Sequence, residues 1–124
     1  MGLDRTVRFP TGGVPTWDAI KGQLARVGEP APLRMIDGLP AFPDESPEAG
    51  WRELRVAVAT GMVTLRRGSD SLTCVVWGNA DSELLSALDR ILWACAAAGG
   101  GVIETPGGSL SPDEFAQRSD IRPA

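Results

Sequence analysis

The chain has 124 residues, 43% of them apolar and 23% charged, with a formal net charge of −4. This length fits one domain with one hydrophobic core, and no stretch approaches the ~18 consecutive apolar residues of a membrane-spanning helix. The chain contains no histidine, which excludes Ser-His-Asp and Cys-His nucleophiles and the common histidine-containing zinc sites.

The first part of the chain predicts a strand, a helix and a second short strand. Apolar residues alternate over 3–9, which is typical of a half-buried strand. Thr16 is a suitable N-cap for a helix that ends near Val27. Residues 33–37 predict a short strand. The segment 38–50 holds three prolines and several acids, and therefore predicts a loop or an irregular sheet edge.

The central segment predicts an antiparallel hairpin. A two-residue turn at 68–69 has glycine in first position, as a type II′ turn requires. This turn pairs Leu65 with Leu72 on one face of the sheet and Thr64 with Thr73 on the other. The first face is apolar, so we expect it to be the buried one.

A third strand over 53–59 predicts the completion of a meander. A turn at 60–61 joins it to the hairpin and pairs Val58 with Val63 on the same apolar face. Two turns therefore agree on one buried face, and a slip of one residue would expose that face to water.

The C-terminal part predicts a long helix, a short strand and a capped final turn. The helix runs over 82–98 with an apolar stripe about 120° wide, and Asp81 or Asn79 caps it. The following sequence, GGGVIETPGGSLSPDEF, resembles a phosphate loop in its glycine content. Its first glycines follow a helix, however, where they form a C-cap. Ser111 and Glu114 form a capping box in front of the last helix, and the acidic first turn there disfavours an anion.

These elements predict an α+β fold with a single globular domain over 1–124. Their order is strand, helix, strand, three-stranded meander, helix and short strand. We expect a two-layer sandwich of a mainly antiparallel sheet with both helices on one face.

The outer face of the meander, opposite the helices, is the candidate binding surface. Its residues are small, apolar or hydroxylated where a water-facing sheet carries charged side chains. The predicted partner-binding residues are Met62, Thr64, Thr73, Val75, Trp77 and Arg55, with Ala57 and Ala59 between them. Two alternatives stay open: this face binds a partner, or the N-terminal strand or the 38–50 loop covers it.

The sequence favours a non-catalytic binding domain over an enzyme. A protein partner or a second copy of the chain, in a homo-oligomer, is the expected ligand of the outer face. The basic residues are scattered, so nucleic acid is not expected, and neither is a membrane, a metal or a cofactor. The alternative is a small-molecule binder or a histidine-independent enzyme. In that case Arg55 or Arg66 would hold an anion, and Asp37 or Glu104 would serve as a base.

The cysteine and tryptophan residues predict which further side chains are buried. Cys74 and Cys95 lie in apolar patterns, which indicates buried thiols in a cytoplasmic protein. Eleven of the twelve basic residues are arginines, which is typical of a GC-rich bacterial genome. Trp51 is expected to anchor the acidic loop. Trp93 lies on the polar side of its helix, where we expect the C-terminal segment to cover it; the apolar residues available there are Ile103, Leu110 and Phe115.

Overall fold

A computed structural model describes residues 3–58 and 60–124 of the chain. In chain order the elements are β1 (Leu3–Arg8), α1 (Trp17–Arg26), β2 (Leu33–Ile36), β3 (Leu39–Pro40), β4 (Glu53–Val58), β5 (Gly61–Arg67), β6 (Ser71–Val76), α2 (Ser82–Gly99), β7 (Val102–Thr105), β8 (Gly108–Leu110) and α3 (Pro112–Arg118). Ala59, which was predicted to lie on the outer face, is outside the described residues.

The strands form one antiparallel sheet in the order β3-β2-β4-β5-β6-β1-β7-β8. The predicted meander β4-β5-β6 lies at its centre, and β1 pairs along the whole of β6. Two short strands, β3 and β8, extend the sheet at its two edges beyond what the sequence predicted. The predicted combination of an antiparallel sheet with packed helices is confirmed. None of the helices in the described part of the chain has the length and apolar character needed to cross a bilayer.

One face of the sheet and the helices share a hydrophobic core. The strands contribute Val7, Leu33, Leu54, Val56, Val63, Leu65, Leu72, Cys74, Val76 and Ile103, and the helices contribute Trp17, Ile20, Leu24, Leu88, Ile91 and Leu92. Helix α2 packs against β1, β5, β6 and β7, and α1 packs on α2. Each fully buried aliphatic side chain of this kind stabilises the fold by about 1.5–3 kcal/mol. Val75 is buried but does not belong to this core, since it lies on the other face.

The β5–β6 hairpin is present, but its register differs from the prediction by two residues. Thr64 pairs with Val75 rather than with Thr73, because the turn lies at 69–70. There the backbone oxygen and the carboxylate of Asp70 accept N–H groups from the segment that follows β1. These bonds hold the later turn in place. A shift of two residues keeps every side chain on its predicted face.

The β4–β5 register is also shifted by two residues. Val63 pairs with Val56, and the predicted partner Val58 lies opposite Gly61. The predicted buried face is therefore correct, whereas both predicted sets of cross-strand partners are wrong.

The helix caps follow the sequence closely. The Thr16 hydroxyl accepts the N–H of Ala19 at 3.1 Å, and the Asp81 carboxylate accepts the N–H of Leu84 at 2.8 Å. Ser111 and Glu114 form both bonds of the capping box. The N–H of Ser111 holds the pKa of the Glu114 carboxyl below its ordinary value. A carboxylate thus already occupies the start of α3.

The glycines after α2 have two different roles. Gly100 adopts φ 65° and caps the helix, as predicted, because only glycine takes this conformation at little cost. Gly99 and Gly101 instead allow close packing against the end of β1. A Cβ on Gly101 would lie 2.6 Å from the carbonyl oxygen of Arg8, and one on Gly99 would lie 2.6 Å from the Phe9 ring.

Two tryptophans fix loops and chain ends to the domain. Trp51 is buried in the core, and the Arg67 guanidinium stacks 4.5 Å from its ring centre. Trp93 is buried as well, with the Arg26 guanidinium 5.6 Å from its ring centre. Arg26 also donates from Nε to the carbonyl of Ala124. The cover over Trp93 therefore includes Arg26, which the sequence did not indicate.

The two cysteines lie inside the same core as free thiols. A hydrogen bond with Cys74, together with burial, raises the pKa of Cys95 well above its ordinary value. Both thiols thus face each other between β6 and α2, away from solvent.

Candidate functional site: the outer face of the sheet

The strand register brings the predicted binding residues together on the outer face of the sheet. Arg55 lies opposite Thr64, and Thr64 lies opposite Val75. Met62 lies two residues before Thr64 on β5, and Trp77 lies two residues after Val75, just beyond the end of β6, so alternation places both on the same side. Thr73 lies one pair away in the other direction, opposite Arg66. All six predicted residues therefore share one surface, although their cross-strand partners differ from the prediction.

One half of this outer face is polar, and its charges are paired. The Glu53 carboxylate lies 3.3 Å from Arg66 Nε and 3.5 Å from Arg55 Nε. On the other side of the meander, Arg8 and Glu104 form an ion pair at 2.9 Å. The Glu53–Arg66 and Arg8–Glu104 pairs each connect neighbouring strands, whereas Arg55 lies near Glu53 on the same strand.

Hydroxyl groups continue this polar half between the two ion-pair clusters. Thr73 Oγ1 lies 3.1 Å from Thr6 Oγ1 on β1. The sequence predicted that Thr73 would meet Thr64 across the hairpin. The two-residue register shift places Arg66 there instead, and the threonine that Thr73 contacts lies on its other neighbour, β1.

The other half of the outer face carries mainly apolar side chains, two of them exposed, with Asp4 of β1 opposite Val75. Trp77 is 58% exposed and Met62 is 47% exposed, and the half-buried Ala57 lies directly opposite Met62. We call Ala57, Met62, Thr64, Val75 and Trp77 the apolar half of the outer face. Apolar side chains grouped in this way are uncommon on a water-facing sheet.

A cation–π contact spans this apolar half. The Arg66 guanidinium lies 5.6 Å from the ring centre of Trp77. Along the strands, the Thr64–Val75 pair lies between Arg66 and Trp77, so the two long side chains meet above that pair. Thr64 and Val75 are only 2% and 5% exposed, and Val75 does not belong to the hydrophobic core. The cation–π contact favours this position of the indole.

The segments expected as possible covers lie elsewhere. Residues 3–8 form β1 and extend the sheet beside β6 instead of crossing it. The 38–50 loop runs along α1, where the Ser46 hydroxyl donates to the Asp18 carboxylate at 3.4 Å. Within the described residues, the indole of Trp77 and the side chain of Met62 stay accessible.

The acids and arginines of the alternative, small-molecule interpretation are engaged in the fold. Asp37 accepts the backbone N–H groups of Arg52 and Glu53 at 2.7 and 2.8 Å. These two bonds hold the pKa of the Asp37 carboxyl below its ordinary value, and the bond from Glu53 has the larger effect. Glu104 is paired with Arg8. The structure thus ties Asp37 into the start of β4 through the backbone of Glu53.

Comparison with known proteins adds no family. No protein-family model matches the chain, and neither the curated proteins nor the solved structures give a match. Among the described residues, no group of three or more cysteine, aspartate and glutamate side chains is placed to hold a metal ion.

Two features of the surface were not predicted from the sequence. The sequence indicates Arg66 only as an anion ligand, although the alternation of β5 places it on the same face as Met62 and Thr64. The second feature is a groove beside α1, which arises where the 28–32 segment and Pro43 meet the helix. No periodicity could indicate it, because irregular segments form most of its wall.

Proposed function

We propose that the protein works by binding another protein through the apolar half of its outer sheet face, without catalysing a reaction. The exposure of Trp77 beside Met62 carries this proposal. Tryptophan and methionine are enriched at protein interfaces, and tryptophan is prominent among the residues that dominate binding energy. A side chain that is already ordered loses little conformational freedom on binding, and the Arg66 contact supports such ordering in Trp77.

The shape of the surface favours a protein partner. A sheet face is broad and flat, whereas small-molecule sites are concave and enclose most of the ligand. A flat surface with an apolar centre and a polar side resembles the core-and-rim organisation of protein interfaces. The charged cluster of Glu53, Arg55 and Arg66 lies along one side, where charges contribute more to orientation and partner choice than to affinity.

Site-specific crosslinking tests this proposal. A photoreactive benzoylphenylalanine at Met62 is expected to give a discrete crosslinked product in cells that produce the protein. The same amino acid at Ser109, on the polar half of the face, is the matched control and should give none. The Trp77→Ser variant should reduce the Met62 product at least about tenfold, because it removes the central anchor.

The mass of the product identifies the class of partner. A product at twice the 13.1 kDa of the chain would assign the face to a homo-oligomer, and any other discrete mass would assign it to a different protein. The proposal would be refuted if Met62 and Ser109 gave the same amount of crosslinked product, or none, and if Trp77→Ser did not change the product from Met62.

A further inference from the structure

A groove of about 570 Å³ lies beside α1, on a part of the surface that the proposed function does not use. Leu24 and Ala25 form its helical side. Pro30, Pro32 and Pro43 form much of the opposite side. Leu24 is buried, so the floor of the groove is continuous with the hydrophobic core.

The residues that line this groove present few hydrogen-bond donors or acceptors. Proline has no backbone N–H, and the side chains of Leu24 and Ala25 carry no polar atoms. Glu29 also lines the groove, but its carboxylate is bound to Arg90 at 2.6 Å. Lys21 at the rim supplies one exposed cation. The groove therefore suits an apolar group that has a negative charge nearby.

Such a group stands next to the groove on the same chain. Phe42 precedes Pro43 and is 75% exposed. The turn that carries it is fixed by two hydrogen bonds: Phe42 N–H donates to the Glu45 carboxylate at 3.2 Å, and Glu45 N–H donates to the Phe42 carbonyl at 3.1 Å. An exposed aromatic side chain on a fixed turn binds with a small entropic cost.

We infer that the groove binds Phe42 of a second copy of this chain, in a two-fold symmetric dimer. Because the groove and Phe42 are adjacent on one surface, a two-fold axis between two copies places each Phe42 over the groove of its partner. The charges fit the same arrangement. The turn carries Asp44, the groove carries Lys21, and neither forms an ion pair among the described residues.

Sedimentation velocity over a range of protein concentrations tests this inference. The wild-type protein is expected to dimerise reversibly, and Phe42→Ser should raise the dissociation constant about 30-fold or more. Ala25→Gln places a neutral side chain in the groove at an exposed helical position, and should have a similar effect. Val102→Ser, which changes an exposed apolar residue on β7, is the control and should leave the dimer unchanged.

Mixing Phe42→Ser with Ala25→Gln shows whether each variant fails to dimerise because it lacks a contact or because it does not fold. Phe42→Ser retains the groove and Ala25→Gln retains Phe42, so the mixture should form a heterodimer with one of the two contacts. Charge reversal gives a second check. Lys21→Asp and Asp44→Lys should each weaken the dimer, and the double variant should restore it.

Three outcomes would overturn the inference. The wild-type protein could remain monomeric at every concentration, or the dimer could persist unchanged in Phe42→Ser. In a third outcome, a monomeric protein binds anilinonaphthalene sulfonate and Ala25→Gln abolishes this binding, which would assign the groove to a small apolar ligand. Crosslinking from Met62 should be insensitive to Phe42→Ser, so failure here and failure of the outer-face proposal are distinguishable.

Discussion

Replacing Arg90 with methionine is expected to cost more stability than replacing its partner Glu29 with glutamine. Arg90 Nε and Nη2 both lie 2.6 Å from Glu29 Oε1. The side chain of Glu29 is 7% exposed, whereas that of Arg90 is 32% exposed. Without Arg90 the carboxylate is left buried and unpaired. Without the carboxylate, the guanidinium still reaches water.

The magnitudes follow from this difference in burial. Removing one partner of a buried ion pair costs about 3–5 kcal/mol, and we place Arg90→Met near 3 kcal/mol because the pair lies at the edge of the core. Glu29→Gln keeps an acceptor for the guanidinium and should cost about 1–2 kcal/mol. The double variant should cost less than the sum of the two, with a coupling of about 1–2 kcal/mol.

Urea unfolding followed by circular dichroism measures these differences. Arg122→Met is the matched control, because the Arg122–Asp120 pair is exposed at both ends, and it should not shift the midpoint measurably. An Arg90→Met variant no less stable than Glu29→Gln, or strictly additive effects in the double variant, would contradict this account of the pair.

Three further predictions concern the glycines, the thiols and a turn. Gly101→Ala should destabilise the protein by about 2–3 kcal/mol because the added methyl group clashes with β1. Gly100→Ala should cost only about 1 kcal/mol, which is the cost of its positive φ. Urea midpoints that show Gly100→Ala to be the less stable variant would contradict this. Cys74 and Cys95 should react with a thiol reagent only in denaturant, and prompt labelling of the native protein would show the core to be open. Asp37→Ala should cost about 1 kcal/mol at neutral pH. Because the folded pKa of Asp37 is lowered, this cost should shrink as pH falls below about 4; a cost independent of pH would exclude the charged hydrogen bonds as its cause.

The sequence predicted the elements whose signals are local. Thr16, Asp81 and Ser111 each cap the helix that follows them, because an N-cap needs only a short polar side chain at the right offset. The buried face of the meander was also predictable, since period-two alternation determines which side chains share a face.

The cross-strand register was not predictable from the turn residues alone. Gly68 suggested the turn, but the bonds from the segment after β1 to Asp70 hold the turn one residue later. Such long-range bonds leave no trace in the local pattern. The edge strands β3 and β8 were missed for a similar reason, because two or three residues are too few to show a period.

The candidate site was predicted as a set of positions, and its internal contacts were not. All six proposed residues lie on one face, but the contact of Arg66 with Trp77 depends on side-chain direction along the strands, which alternation does not specify. The exposure of Phe42 was equally hidden, because an aromatic residue between prolines is compatible with a buried or an exposed loop.

Hydroxyl-radical footprinting in living cells is the most direct test of the outer face as a binding surface. In the purified protein, Trp77 and Met62 should be oxidised readily because both are exposed. In cells that produce the protein, we expect a partner to protect both residues by about tenfold, while labelling of the exposed Leu85 on α2 stays the same. Equal oxidation of Trp77 and Met62 in cells and in the purified protein would contradict the proposed function.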